Sequence, residues 1–269
     1  MPVVVAIIVR RIKDKIYADA GKINLKLNDE IIVETKHGVE HGVVYEIVKD
    51  FIKGKDLLGK VLRKATDDDK RKLADNQRRN LRAQVTVSQK VREHKLEMNL
   101  TCVSYTFDRS KLFVYYTSET RVDFRRLIKD LGHVLKTRIQ MVQIGVRDES
   151  KMIGGMGTCG QVLCCKSFLK NFHSVTIDMA KEQNLSLNTS KLSGLCGRLM
   201  CCIAYENDTY KNIKKKLPEL GSTVFAPDGK GKLVAIDCIK ERVSVDFGDK
   251  FFKIFKIEQI KDANGNDSK

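Results

Sequence analysis

Six of the eight cysteines in this chain are arranged as two copies of one short motif. Residues 159–165 and 196–202 each read Cys-Gly, then three residues, then Cys-Cys, and the copies lie 37 residues apart. Cysteine thiolates are the ligands of iron–sulfur clusters and of many structural zinc ions. The pattern therefore predicts a metal or cluster site with the ligands Cys159, Cys164, Cys165, Cys196, Cys201 and Cys202.

The order of residues within each copy predicts its local structure. A glycine after the first cysteine allows a sharp turn, and we expect the Cys-Cys pair about one turn into a following helix. Adjacent helical residues point about 100° apart, so one thiol of each pair would face the other copy. The helix N-terminus, with Arg198 and Lys166 nearby, is expected to lower the thiol pKa.

The spacing leaves the kind of site open. It matches neither the Cys-x-x-Cys pairs of zinc ribbons nor the cysteine run of bacterial ferredoxins. Six thiols suit an iron–sulfur cluster with spare ligands, clusters completed by a partner chain, or tetrahedral zinc. Inert thiols buried at a helix interface are the remaining alternative. Cys102 and Cys238 each lie alone in a strand pattern, which favours a place in a core.

Charge and hydropathy indicate where such a site would operate. The chain has 269 residues, a formal net charge of +16 and a pI near 9.5, which attracts nucleic acids, although a lysine-rich proteome gives ordinary proteins a similar charge. No apolar run approaches the roughly 20 residues of a transmembrane segment. The apolar residues 3–9 precede Arg10 and Arg11, the reverse of a signal peptide. We expect a cytoplasmic protein whose cysteines are ligands.

Three other patterns have simpler structural explanations. Residues 37–41 match the inverted zinc-protease motif, but glycines at 38 and 42 favour a hairpin over the required helix. The glycines within 155–160 resemble a dinucleotide fingerprint without its βαβ unit. Aromatic residues at 105, 113 and 115 suit either base stacking on a sheet or packing against a neighbouring element. With no visible nucleophile–base or paired-carboxylate arrangement, we expect no enzyme activity.

Hydrophobic periodicity predicts an α+β fold. A central ferredoxin-like split βαβ domain would begin with a strand at 61–65, and small β-rich, SH3-like units would flank it together with a cysteine-rich helical segment. Thr66, followed by three aspartates, is a predicted helix N-cap, with Leu73, Gln77 and Leu81 on one stripe. The expected domains are 1–59 (β-rich), 60–149 (ferredoxin-like), 150–208 (cysteine-rich), 209–261 (SH3-like barrel) and 262–269 (disordered tail).

Longer stretches carry a family resemblance. The sequences MGTCGQVLCC (156–165), MAKEQNLSLN (179–188) and SGLCGRLMCC (193–202) closely resemble the bacterial RicT family, also called YaaT or stage zero sporulation protein YaaT. YTFD at 105–108 and RVDFR at 121–125 match the family's upstream domain as well. The resemblance therefore extends from about residue 60 to residue 206.

The resemblance implies a function beyond what spacing indicates. A RicT-like protein is a non-catalytic regulatory subunit that works with RicA-like and RicF-like partners, carries [4Fe-4S] clusters and directs mRNA processing by RNase Y, with effects on sporulation. It also implies that Cys159, Cys164, Cys165, Cys196 and Cys201 are the ligands, with Cys202 less secure. The alternative is an RNA- or DNA-binding protein with a structural zinc site, and RNA is a candidate partner in either case.

Overall fold

The computed structural model describes residues 4–9, 15–48, 59–169, 171–215, 217–248 and 251–262. The chain divides into two compact units, Met1–Gly154 and Gly155–Lys269. The first unit contains the strands β1 (Val4–Val9), β2 (Lys15–Asp19), β3 (Glu30–Thr35), β4 (Gly38–Val48) and β5 (Gly59–Lys64), then helix α1 (Asp67–Glu93), strands β6 (Asn99–Tyr105) and β7 (Lys111–Thr117), helix α2 (Arg125–Leu135), strand β8 (Arg138–Gln143) and helix α3 (Val146–Ile153). The mixed α+β class is confirmed.

Strands β1 to β5 close into a small barrel in the order β1-β2-β5-β3-β4. Apolar side chains alternate along its strands and fill the interior, with Val5, Ile7, Ile31 and Val33 fully buried. Strand β5 belongs to this barrel because it pairs with β3, placing Val61 opposite Val33.

The place of β5 corrects the ferredoxin-like prediction. The strand expected at 61–65 was to open a four-stranded sheet, but Val61 is buried in the barrel core instead. Among the described residues, the sheet of the α/β part has three strands in the order β6-β7-β8. Strands β6 and β7 are antiparallel, whereas β7 and β8 are parallel and joined through α2. Hydrophobicity predicted the strand correctly but could not identify its neighbours.

Helix α1 begins at the predicted N-cap. Thr66 and Asp69 form a capping box, in which Asp69 Oδ2 accepts a 2.8 Å hydrogen bond from the Thr66 amide. Arg63 of β5 donates two hydrogen bonds to the Asp69 carboxylate, which ties the helix to the barrel. These Arg63 bonds, together with those from Thr66, hold the pKa of Asp69 well below its usual range despite its burial.

The buried face of α1 differs from the predicted stripe. Its buried side chains include Asn76, Ala83, Val87 and Val91, whereas Leu81 is 66% exposed. Ala83, Val87 and Val91 pack with residues of β6, β7 and α2 in one apolar cluster. Because neither glycine nor proline interrupts residues 67–93, the helix continues past Ala83 to Glu93.

The two faces of strand β7 have different neighbours. Leu112, Val114 and Tyr116 join the apolar cluster of α1 and α2. Phe113 and Tyr115 alternate with them, are buried, and stack on each other with ring centroids 6.3 Å apart. The His37 ring of the barrel lies edge-on to Phe113 at 5.8 Å. Packing against a neighbouring element is therefore the correct interpretation of these two aromatics, and base stacking on them is excluded.

The hairpin between β3 and β4 joins the barrel to the α/β part. The Phe107 amide donates a 3.0 Å hydrogen bond to the Val39 carbonyl, and Lys111 Nζ donates one of the same length to the His37 carbonyl. His41 lies within strand β4, buried, with Nε2 3.0 Å from Glu30 Oε2. The protease motif needs both histidines on one helix, so the hairpin confirms that this match is coincidental.

The second unit contains the cysteine motifs and an antiparallel sheet. Its elements are the helices α4 (Ile177–Glu182), α5 (Thr189–Leu192) and α6 (Cys201–Lys214), the strands β9 (Thr223–Ala226), β10 (Gly229–Asp237), β11 (Arg242–Asp246) and β12 (Phe252–Lys256), the 3-10 turn Ile257–Gln259 and strand β13 (Lys261–Asp262). The strand order is β12-β11-β10-β9-β13, around a core that includes Val224, Leu233 and Val243.

The SH3-like arrangement of the two β-rich units stays a prediction, and most of the predicted tail at 262–269 lies outside the described residues. Within the described ranges, no helix combines the length and the apolar character needed to cross a membrane.

The capping interaction gives a first prediction. Replacing Asp69 by Asn (Asp69→Asn) should lower the free energy of unfolding by about 1–2 kcal/mol at pH 7, because it removes the charge that Arg63 binds and weakens the cap. The lowered pKa means that the wild-type carboxylate stabilises the fold above about pH 4 and loses this contribution as the pH falls further. Urea denaturation at pH 7 and pH 3 should show the difference between the two proteins shrinking in acid.

Asp68→Asn is the matched control, since Asp68 lies in the same turn, is exposed and forms an ion pair with the equally exposed Arg71. An equal decrease in the free energy of unfolding for both variants would show that the bonds of Asp69 stabilise the fold no more than an exposed aspartate does.

Candidate metal centre

The first cysteine motif forms a tight hairpin, here called the first hairpin (residues 155–165). The Gly157 amide donates to the Gln161 carbonyl at 2.8 Å, and the Gly160 amide donates to the Gly157 carbonyl at 2.9 Å. Met156 and Val162 pair as an isolated antiparallel bridge. Cys159 lies at the tip of this turn and is exposed.

The second motif repeats the same hydrogen bonds 37 residues later, in the second hairpin (residues 192–202). The Gly194 amide donates to the Arg198 carbonyl at 2.9 Å, and the Gly197 amide donates to the Gly194 carbonyl at 2.9 Å. Ser193 and Leu199 form the equivalent bridge. The duplication therefore extends from the sequence to the backbone.

A left-handed glycine makes each turn possible. Gly160 has φ +76° and Gly197 has φ +74°, a region that costs other L-residues about 1–2 kcal/mol. An added Cβ would meet nothing within 4 Å at either position. The requirement for glycine is therefore one of backbone conformation rather than of space.

The Cys-Cys pairs follow the two hairpins differently. Cys201 and Cys202 are the first two residues of α6, slightly nearer its start than expected. Cys164 and Cys165 lie in a run of turns, so the predicted helix does not form after the first hairpin. There the Ser167 amide and hydroxyl both donate to the Leu163 carbonyl, at 3.0 and 3.1 Å, within a single turn.

The thiols differ in accessibility. Cys165 and Cys238 are buried, Cys159 is exposed, and the other five are partly exposed. No disulfide joins any of the eight cysteines, all of which lie in the described ranges. Cys238 was expected in a core and is buried there, whereas Cys102 in β6 is only partly buried.

Electrostatics link the two motifs. Burial raises the pKa of Cys202, and the neighbouring Cys164 and Glu206 raise it further. Backbone N–H groups at the start of α6 act in the opposite, predicted direction, but burial outweighs them. The expectation of a lowered pKa is therefore wrong for Cys202. The influence of Cys164 also indicates that a thiol from each motif lies within electrostatic reach of the other.

An aromatic pair extends the duplication. Phe168 and Tyr205 each follow a Cys-Cys pair by three residues and are therefore equivalent positions. Their rings contact edge to face, with centroids 5.1 Å apart, although 55% and 59% of the two residues is exposed. A contact between equivalent positions is what an approximate local twofold arrangement produces. Sequence reasoning missed this pair, although extending the 37-residue repeat by three positions would have found it.

A small apolar core supports the second hairpin. Ala180, Leu192 and Ile203 are almost fully buried together, and Gln183 Nε2 donates a 2.6 Å hydrogen bond to the Ile203 carbonyl. Gln183 is itself buried, which sequence spacing did not indicate. Helices α4, α5 and α6 therefore enclose a small apolar core within the cysteine-rich segment.

The six thiols do not close around one ion within this chain. Among the described residues, no three His, Cys, Asp or Glu side chains are grouped closely enough to hold a metal. The donors are nevertheless thiols without disulfides, several of them accessible, which is the chemistry that zinc and iron–sulfur clusters require. The motifs thus present suitable donors in an open arrangement.

The hairpins give a second prediction. Gly160→Ala or Gly197→Ala should each lower the free energy of unfolding by about 1–2 kcal/mol, because alanine disfavours positive φ. Gly197→Asn should cost less, since asparagine tolerates this conformation. Thermal denaturation measures both effects, and alkylation with a maleimide should become faster at the thiols of the altered hairpin.

Gly132→Ala in α2 is the matched control. Its added Cβ also meets nothing within 4 Å, but its backbone is helical, so this variant should gain up to about 1 kcal/mol. Equal stability of Gly132→Ala and Gly197→Ala would contradict the role assigned to the turn.

Family models match a segment in each of the two units. The family model of the PSP1 C-terminal conserved region matches residues 59–144, and that of the PSP1-like protein, third domain, matches residues 174–217. Saccharomyces cerevisiae Protein PSP1 is 30% identical over 136 residues, 46% of this chain and 16% of that protein. An uncharacterized Schizosaccharomyces pombe protein is 38% identical over 85 residues, 32% of this chain and 11% of its own length.

A bacterial relative matches far more of the chain. Stage 0 sporulation protein YaaT of Bacillus subtilis is 44% identical over 233 residues, which cover 86% of this chain and 84% of that protein. No solved structure matches the chain significantly. The match to the Bacillus protein includes most of both sequences, and the PSP1 region lies within it. The chain therefore belongs to the YaaT (RicT) family.

Proposed function

We propose that this protein is a non-catalytic, cytoplasmic regulatory subunit that binds an iron–sulfur cluster, of the [4Fe-4S] type, through its two cysteine hairpins. The observation that carries the proposal is the duplicated hairpin, which presents six thiols in two equivalent frames. A purely structural zinc site needs only four ligands and no accessible excess. Six divergent thiols suit a cluster that is held by more than one element.

The first cysteine of each hairpin and the following pair would hold the cluster. Cys159 and Cys196 lie at the two turns, and Cys164 lies within electrostatic reach of Cys202. Cys165 and Cys201 complete the set proposed at the outset. When bound, a cluster supplies a redox-active, oxygen-sensitive centre. The glycine turns fix the backbone of each hairpin and so limit the positions that its thiols can take.

The open arrangement supports a site that a partner completes. No group of three candidate ligands forms within the described residues, and apolar side chains flank the hairpins in exposed positions: Met156 is 66%, Val162 53% and Leu195 63% exposed. Exposed apolar groups beside accessible thiols favour protein contacts there. Family membership suggests RicA-like and RicF-like proteins as the partners, RNase Y as the nuclease whose mRNA processing the complex directs, and sporulation as one process affected.

A second candidate function is nucleic-acid binding with a structural zinc. The net charge of +16 favours it, and tetrahedral zinc would use four of the same thiols. Metal identity distinguishes the two candidates.

Metal analysis gives the third prediction. Protein purified without oxygen, alone and together with RicA-like and RicF-like partners, should absorb near 400 nm and contain iron and acid-labile sulfide. Cys159→Ala and Cys196→Ala should each lose most of the iron, because each removes the thiol at one turn. Absorbance, iron and sulfide assays on the same samples measure the loss.

Cys102→Ala is the matched control, since Cys102 is partly buried in β6, outside both hairpins. It should keep full iron content. A colourless protein with one zinc per chain would instead contradict the cluster and favour the metal of the second candidate.

A further inference from the structure

The exposed side of α1 carries an arginine cleft outside the cysteine motifs. This cleft is a cavity of about 320 Å³ lined by Arg78, Arg79, Arg82, Thr86, Tyr105 and Asp75, among others. Its volume lies at the lower end of the range for small-ligand sites, roughly 300–1,000 Å³. Three guanidinium groups and a single carboxylate give the cleft a positive balance.

The carboxylate of the cleft is already engaged. Asp75 Oδ2 accepts hydrogen bonds from Arg79 Nε at 3.0 Å and from Arg109 Nη2 at 2.6 Å. Arg78 and Arg82 are exposed, and in the described part of the chain neither forms an ion pair with a carboxylate. They lie one helical turn apart, where like charges repel. Two adjacent cations without a carboxylate partner fit an external anion.

A second cavity shares a wall with the first. This amide cleft has a volume of about 300 Å³ and is lined by Asn76, Gln77, Asn80, Ser104, Tyr105 and Phe107, among others. Tyr105 lines both cavities. Asn80 Oδ1 accepts a 2.9 Å hydrogen bond from the Tyr105 amide, which fixes the backbone of that residue. Asn76 and Asn80 are both engaged within the protein, which leaves the exposed Gln77 as the amide that a ligand can reach. The partly buried Tyr105 thus lies between a cationic cleft and one that combines apolar walls with this amide.

This combination is what single-stranded RNA requires. Arginine binds phosphate through parallel hydrogen bonds, tyrosine rings stack on unpaired bases, and amide side chains hydrogen-bond base edges. A double helix keeps its bases stacked and would not place one against Tyr105. We propose that single-stranded RNA binds across the two clefts, with phosphates at Arg78 and Arg82 and a base on Tyr105. The proposal adds an RNA contact to the proposed regulatory role but does not depend on the metal.

The test is RNA binding by the full chain. Fluorescence anisotropy with a labelled single-stranded RNA of mixed sequence should show salt-dependent binding. The double variant Arg78→Gln/Arg82→Gln should bind about tenfold more weakly, and the salt slope of log Kd should fall by roughly 1 to 1.5. Tyr105→Leu should weaken binding severalfold while Tyr105→Phe, which keeps the ring, should not.

The matched control is Arg71→Gln/Arg92→Gln, which removes the same charge from the two ends of α1, outside both clefts. It should change Kd by less than about twofold, a general charge effect only. Equal weakening by both double variants would overturn the proposal, as would the absence of RNA binding by the wild-type chain. Equal affinity for duplex DNA, or saturable binding of AMP or inorganic phosphate without RNA, would also overturn it. Absorbance near 400 nm on the same samples reports the cluster separately, so failure of one proposal is distinguishable from failure of the other.

Discussion

A positive φ immediately after a cysteine is the constraint on which the candidate site depends. In both hairpins the glycine at this position turns the chain back, so that the carbonyl of the next residue accepts a hydrogen bond from the amide of Gly157 or Gly194. Without that reversal, the first cysteine and the Cys-Cys pair of each motif would lie along an extended segment. Seven residues of sequence, from the first cysteine to the Cys-Cys pair, are thereby folded into a compact frame.

The candidate site consists of two copies of this frame, which share a backbone geometry but are anchored differently. The two hairpins share their backbone hydrogen bonds, and the equivalent aromatics Phe168 and Tyr205 contact each other. The backbones of the two copies diverge at the Cys-Cys pair, where the second continues as α6 and the first does not. One frame is therefore anchored through Ile203 and Gln183, and the site combines an anchored half with a half held mainly by local turns.

The other unit is organised by polar contacts at its joints. Arg63 and Asp69 connect the barrel to α1, and the Phe107 amide and Lys111 connect the β3–β4 hairpin to the sheet. Asn76 is buried at the same joint, donates to the Phe107 carbonyl at 3.2 Å and accepts from Arg109. Buried polar groups with partners fix a geometry that apolar packing alone leaves variable. These contacts attach helix α1, whose exposed side carries the arginines, to both the barrel and the sheet.

Local features of this protein were determined by the sequence itself. The Thr66 cap and the turn at each Cys-Gly depend on interactions between near neighbours, which residue type and spacing specify. The repeat of 37 residues is visible in the sequence directly. Tertiary structure alone decided that β5 joins the barrel, because strand pairing is a choice between distant partners of similar hydrophobicity. It also buried Phe113 under the barrel and raised the pKa of Cys202, since burial depends on which elements meet. The sequence alone identified the cysteines as candidate ligands. That no three of these side chains lie close enough to hold a metal depends on how the two hairpins pack, which only the tertiary structure determines.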